Sequence, residues 1–172
     1  EVIAADADFR INGLQPVANP DGYKINHRTI FPGILYEKDD LFIEAFIVNH
    51  GDIDPAYGFK ITTNDLSLVI SGDTAYSDVI AEKSEGVDFL FHEVISRKGL
   101  ENNSPGFQRY HNSVHTTSDE LARLANRARP KKLILYHGLF YGTQESTVLE
   151  EIESLYDGEV ILANDLDIFM AE

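Results

Sequence analysis

The residues of this sequence best suited to chemistry are its histidines and a few carboxylates, and they recur at one kind of position. Ile47-Val48-Asn49 runs into His50, and Val69-Ile70-Ser71-Gly72 runs into Asp73. Phe89-Leu90-Phe91 runs into His92 and Glu93, and Ile134-Leu135-Tyr136 runs into His137. Each apolar run reads as a strand that ends in an ionisable group. In sheets covered by helices, side chains at the carboxyl ends of strands project from rigid backbone into a crevice, which is where sites gather. Imidazoles and carboxylates converging on one edge are the donor set suited to Zn²⁺ and similar borderline metals. Each residue also has a plainer reading. A lone histidine at a strand end is usually a surface residue, Asp73 in Ser-Gly-Asp-Thr suits a tight turn, Glu93 suits solvent and His92 suits a satisfied core position. The repetition of the pattern argues for a shared site.

The elements that would carry these groups follow from periodicity and punctuation. Leu41–Asn49 is rich in β-branched and aromatic residues and predicts a strand. Tyr57–Thr63 and Leu66–Ser71 predict a hairpin about Asn64-Asp65. Ser77 is placed to cap a short helix reaching Glu85, and Val87–Phe91 reads as a buried strand. Residues 96–114 are polar and read as an irregular functional loop. Thr117 with Glu120 forms a capping-box pattern for a helix whose apolar face is Leu121, Leu124, Ala125 and Ala128, stopped by Pro130. Lys132–Tyr136 predicts a strand and Ser146–Tyr156 a helix, and Glu159–Ala163 with Asp167–Met170 is expected to close the sheet. Upstream, residues 1–12 read as the tail of a helix ended by Gly13 and Pro16, and Tyr23–Ile30 and Gly33–Tyr36 as short extended pieces. Strands alternating with helices after a hairpin-rich start predict an α/β fold with a mixed sheet.

A chain of 172 residues suffices for one domain burying roughly 70% of its unfolded surface. The net charge of −15 disfavours broad contact with phosphate backbones. Absence of cysteine excludes disulfides, thiolate metal sites and cysteine nucleophiles. No apolar run approaches the ~18 residues of a membrane span, so no membrane partner is expected. The sequence starts at Glu1 without methionine, which leads us to expect that an upstream segment has been removed, and the compartment, cytoplasmic or periplasmic, stays open.

Taken together, Val48-Asn49-His50, Tyr57-Gly58-Phe59-Lys60, Ser71-Gly72-Asp73-Thr74, Asp88-Phe89-Leu90-Phe91-His92-Glu93, His115-Thr116-Thr117, Leu133-Ile134-Leu135-Tyr136-His137 and Ala163-Asn164-Asp165 resemble the metallo-β-lactamase superfamily, in its ribonuclease Z and arylsulfatase-like branch. The likeness spans roughly residues 25–170. It implies that His50 is a ligand of a first metal, His137 of a second, and Asp73 a bridge between them. It implies that His115 stabilises developing charge or protonates the leaving group, with Glu93 as its orienting partner. His111, four residues before His115, reads as a loop residue rather than a ligand, because Pro105, Gly106 and Asn112-Ser113 surround it. His27 and Asp165 read as structural or exposed. Tyr57, Phe140 and Tyr141 are candidates for the site rim or for ordinary packing.

The family's His-x-His-x-Asp-His motif does not occur in these residues. The resemblance therefore implies the C-terminal half of an αββα sandwich, with helices on one face of a mixed sheet. Residues 1–172 would be a single partial domain and residues 1–24 a loose N-terminal segment. Two Zn²⁺ ions per intact site, or Mn²⁺ or Fe in their place, are expected in the parent, with weak or absent binding to the chain alone. The expected activity is hydrolysis of an ester, phosphodiester, sulfate ester or lactone through a metal-bridging hydroxide, with this chain an inactive fragment. A small-molecule ester is the expected substrate and nucleic acid is not expected. Two arguments favour this: the charge, and the shortness of the Lys60–Gly72 hairpin where ribonuclease Z enzymes carry a tRNA-binding arm. Self-association, or pairing with the missing N-terminal half, is expected of the uncovered sheet. The alternatives are a non-catalytic binding or assembly domain, and an RNA-processing nuclease of ribonuclease Z type.

Overall fold

A computed structural model describes residues 2–13 and 28–171. Two compact units divide the chain, residues 1–30 and 31–172. In the first, helix α1 (Val2–Asn12) carries an Arg10–Asp6 ion pair of 3.0 Å at i,i+4 spacing, and the Gly13 amide closes its end by donating to the Phe9 carbonyl. His27 and most of the extended piece expected at Tyr23–Ile30 lie outside the described residues.

In the second unit, seven strands among the described residues lie in the sheet in the order in which the chain makes them. Strands β1 (Gly33–Lys38), β2 (Leu41–His50), β3 (Ile53–Thr62) and β4 (Ser67–Ile70) form an antiparallel meander. From β4 onward, β5 (Phe89–Ile95), β6 (Lys132–Leu139) and β7 (Glu159–Leu162) add in parallel, which requires a crossover before each of them. Helix α2 (Asp78–Lys83) makes the first crossover and α6 (Glu145–Glu153) the last. The middle one contains α3 (Arg97–Glu101), α4 (Pro105–Val114) and α5 (Ser118–Ala128).

The core lies between one face of the sheet and helices α2, α5 and α6. Leu121, Leu124 and Ala125 of α5, Ile80 of α2, and Val148 and Ile152 of α6 pack in one cluster with Val69, Leu90, Leu133 and Leu135. Leu121 and Leu124 are fully buried, each worth about 2 kcal/mol of transfer free energy. The α5 capping box is present, Thr117 with Glu120. Arg129 ends the helix in the left-handed region at φ 50°, donating its amide to the Ala125 carbonyl, and Pro130 follows. Period-2 alternation sends Phe89 and Phe91 to the opposite face, where Phe169 packs on both rings at 6.4 and 5.9 Å.

Two expectations fail. Residues 96–114 are two helices rather than an irregular loop. The Ser96 and Ser104 hydroxyls cap them, accepting from the Gly99 and Phe107 amides, and Pro105 sits at the first helical position, where its missing N–H costs nothing. Gly99 is required there, because a Cβ would stand 2.1 Å from the Phe140 carbonyl oxygen. Asp167–Met170 adds no strand. Asn164 and Asp167 instead close a turn, the Asn164 amide donating to the Asp167 carboxylate at 2.8 Å with Leu166 at φ 71°. No helix among the described residues is long and apolar enough to cross a membrane.

Candidate metal centre

Two of the strand-end groups, Asp73 and His137, come together with His115 from the segment between α4 and α5. One ligand atom each from Asp73, His115 and His137 lie within 4.8 Å of one another. Asp73 follows β4, and its turn depends on Gly72, whose φ of 64° favours glycine and whose Cβ would stand 2.6 Å from the Tyr57 carbonyl oxygen. The turn is tied down on both sides. The Ala75 amide donates to the Asn49 carbonyl at 2.8 Å, and the Thr74 amide donates to Glu93 Oε1 at 3.1 Å.

His137 reaches the cluster through a defect in the sheet. Glu93 pairs with Tyr136 and Val94 with Gly138, so His137 is the extra residue of a bulge, at φ 46°. Bulges re-aim side chains, and backbone held in this region by an ordinary residue costs ~1–3 kcal/mol. Its Nε2 lies 3.4 Å from Asp73 Oδ2, and both side chains remain open to solvent.

Glu93 is the buried hub of the site. Its Oε1 accepts from the Thr74 amide, from the Thr116 amide at 3.0 Å, and from His115 Nδ1 at 3.3 Å. The Thr116 hydroxyl adds a bond to the Thr74 carbonyl at 2.7 Å. One carboxylate thus joins the Asp73 turn to the segment between α4 and α5 that carries His115. With Nδ1 committed to an acceptor, the other His115 nitrogen is the one available to the cluster. Burial lowers the His115 pKa, but the hydrogen bond and charge of Glu93, with Asp73 behind, outweigh it, and the net shift is upward. Glu93 Oε2 has no protein partner among the described residues.

His50 stands one ring further out, its centroid 5.6 Å from that of His115, outside the three-residue group. Its Nδ1 donates to the Val114 carbonyl at 2.8 Å, which leaves Nε2 as the free nitrogen. His92 is fully buried and donates from Nδ1 to the Glu93 carbonyl at 2.6 Å. Burial pushes its pKa down against the opposing pull of Glu93, so it is a neutral core imidazole, while its Nε2 has no protein partner among the described residues. His111 is helical rather than a loop residue. Its ring stacks on His115 at 5.6 Å and contacts the Tyr141 hydroxyl, and burial followed by the charge of His115 lowers its pKa.

Thr74 and Thr116 were missed in the sequence as positioning residues, because their backbone amides do the work and an amide carries no residue-type signal. The Tyr141–His111 contact was missed because 96–114 was not expected to be helical. Asp73 and His137 offer a carboxylate and an imidazole, donors that suit a borderline divalent metal, with the His115 imidazole beside them.

No family model matches the chain. It is 30% identical over 138 residues to ribonuclease Z of Mycobacterium bovis, covering 77% of this chain and 46% of that protein. It is 24% identical over 199 residues to ribonuclease Z of Anoxybacillus flavithermus, covering 86% and 61%. Among solved structures, human tRNase Z, short form, superposes with a TM-score of 0.58 at 22% identity, covering 81% of this chain and 45% of that one. The metallo-β-lactamase fold protein YhfI of Bacillus subtilis gives 0.61 at 22%, covering 74% and 48%. The chain spans about half the length of the curated relatives it matches.

These relatives overturn the expectation of a small-molecule ester substrate with nucleic acid set aside, since they are ribonucleases by name. The expectation failed because net charge is a sum over a surface, whereas contact with a phosphate backbone is set by local potential.

Proposed function

We propose, for a chain that belongs to the metallo-β-lactamase superfamily in its ribonuclease Z branch, that it supplies part of the active site of a metal-dependent ribonuclease cleaving a phosphodiester. The observation that carries this reading is the Glu93–His115 pair set beside Asp73 and His137. Asp73 and His137, with His50 beyond them, would hold divalent metal, which when bound supplies an activated water and a Lewis acid for a phosphoryl oxygen.

The chain's own residues account for the proton. Glu93 fixes the His115 ring through Nδ1, so that Nε2 is directed to the reacting group. As the bond from phosphorus to the leaving oxygen breaks, protonated His115 gives that oxygen its proton, and Glu93 holds the ring in place throughout. A histidine that must be cationic before this step serves poorly as a metal ligand, which is why His115 is assigned to proton transfer although it lies within reach of the ion.

Three donors, His50, Asp73 and His137, cannot fill two metal positions, so full activity draws on donors from outside these residues. The chain alone binds metal weakly and cleaves slowly or not at all. The test compares the 172-residue chain with the complete gene product containing it, both supplied with Zn²⁺ or Mn²⁺, on tRNA transcripts and on a small phosphodiester. Cleavage of RNA by the complete product, abolished by Asp73→Ala and His115→Ala, is the expected result. Cleavage of the small ester alone, or full activity of the 172-residue chain, would overturn it.

A further inference from the structure

Beside the candidate centre is a row of rings that the chemistry above does not use. Helix α4 presents Phe107, Tyr110 and His111 at i, i+3 and i+4, which brings them to one side of the helix. Tyr141, held at φ 45° on the turn after β6, packs edge-on against Phe107 at 4.9 Å and against His111 at 5.0 Å. Phe107 and His111 lie 4.1 Å apart, and Tyr110 meets His111 at 5.0 Å. His111 in turn stacks on His115 at 5.6 Å, and His115 lies 5.9 Å from His137. The series is continuous from solvent, where Tyr110 is 62% exposed, to the metal-binding cluster. Phe107 and Tyr141 pack against the inner His111 ring, and Tyr110 at the outer end is largely exposed.

We infer that Tyr110 is a stacking platform for the base of an unpaired nucleotide adjoining the scissile phosphate. This rests on the ribonuclease reading and deepens it by naming what the site grips besides phosphate. The charge of −15 gives the inference its physical motive. Proteins that hold RNA mainly through lysine and arginine gain affinity from counterion release, which an acidic chain obtains only locally. Base–aromatic stacking needs no charge and is tolerant of sequence. Tyr110 stands two ring spacings from His115, 5.0 and 5.6 Å, a separation that the sugar and splayed base of an unpaired nucleotide can bridge from a phosphate at the cluster.

The experiment titrates the trinucleotide ApApA, and the same trinucleotide with an abasic central sugar, into the metal-free complete gene product that contains these residues, following aromatic resonances by NMR. Wild type, Tyr110→Phe and Tyr110→Ala are compared, with circular dichroism to verify folding. Tyr110→Ala is expected to weaken ApApA binding ~5- to 100-fold and Tyr110→Phe to leave it nearly unchanged. The abasic probe should bind wild type as weakly as ApApA binds Tyr110→Ala, and the affinity lost should vary little between about 50 and 200 mM salt. Equal binding of both probes, or an undiminished Tyr110→Ala, overturns the platform and leaves the ribonuclease reading standing. Failure of both probes to bind wild type overturns both. Stacking as expected, without RNA cleavage by the complete gene product, overturns the ribonuclease reading and with it the scissile phosphate, leaving Tyr110 as a base-binding residue only.

Discussion

The imidazole of His115 and the carboxylate of Glu93 meet at 3.3 Å inside the protein, with the carboxylate fully buried and the imidazole nearly so. A buried carboxylate is normally costly, and here three donors on one oxygen offset that cost.

Replacing Glu93 by Gln keeps an acceptor and removes the charge. The His115 titration midpoint, raised in the folded chain, is then expected to fall in metal-free protein followed by NMR. A raised folded value contributes stability fully below the ordinary 6.5 and loses it as pH rises through the folded value. The stability gap between wild type and Glu93→Gln should therefore be widest at mildly acidic pH and narrow under alkaline conditions. A gap independent of pH would count against the pairing.

Metal titration separates the two kinds of histidine. Asp73→Ala and His137→Ala should each weaken Zn²⁺ or Co²⁺ binding by more than the ~10-fold that follows loss of an outer hydrogen-bond partner. His111→Ala should change it little. His115→Ala should retain most of the affinity while abolishing RNA cleavage by the complete gene product. Loss of metal equal to that of His137→Ala would reassign His115 as a ligand.

Gly72→Ala tests the Asp73 turn. The left-handed backbone alone costs an added side chain about 1–3 kcal/mol, and contact with the Tyr57 carbonyl adds to it. Urea denaturation should show the loss, and weaker metal binding should accompany it because Asp73 is displaced.

At the opposite ends of the strands, Asp88 accepts from Lys131 Nζ at 2.7 Å and from the Ser67 amide at 2.7 Å. Lys131 first, and then Ser67, hold its pKa at about 2, below the usual 3.8. Its contribution is present above 3.8 and is lost as pH falls towards 2. Asp88→Asn should cost about 1–3 kcal/mol at pH 7 and close to nothing near pH 2, by chemical denaturation at both.

The strand tips were readable because each apolar run is visibly interrupted by an ionisable residue, so His50, Asp73, Glu93 and His137 could be found without coordinates. The α5 helix was readable because its capping box and its apolar stripe agree. Helices α3 and α4 were hidden by Gly, Pro and Asn, residues that suggest a loop unless Ser96 and Ser104 are recognised as caps and Pro105 as a helix start. The bulge at His137 depends on register with β5, and the nearness of His115 to Asp73 and His137 depends on how the α4–α5 turn docks. Neither is a local property. The substrate class was misread from a total charge and from the shortness of the Lys60–Gly72 hairpin, neither of which reports the local surface at the site.

Because spatial order in the sheet equals chain order, each strand can dock on its predecessor as synthesis proceeds, with only near neighbours to find. Asp73, His115 and His137 nevertheless come from three separate stretches of that progression. A nascent chain that has not yet added β6 lacks His137, so the group formed with Asp73 and His115 is complete only once the sixth of the described strands has joined the sheet.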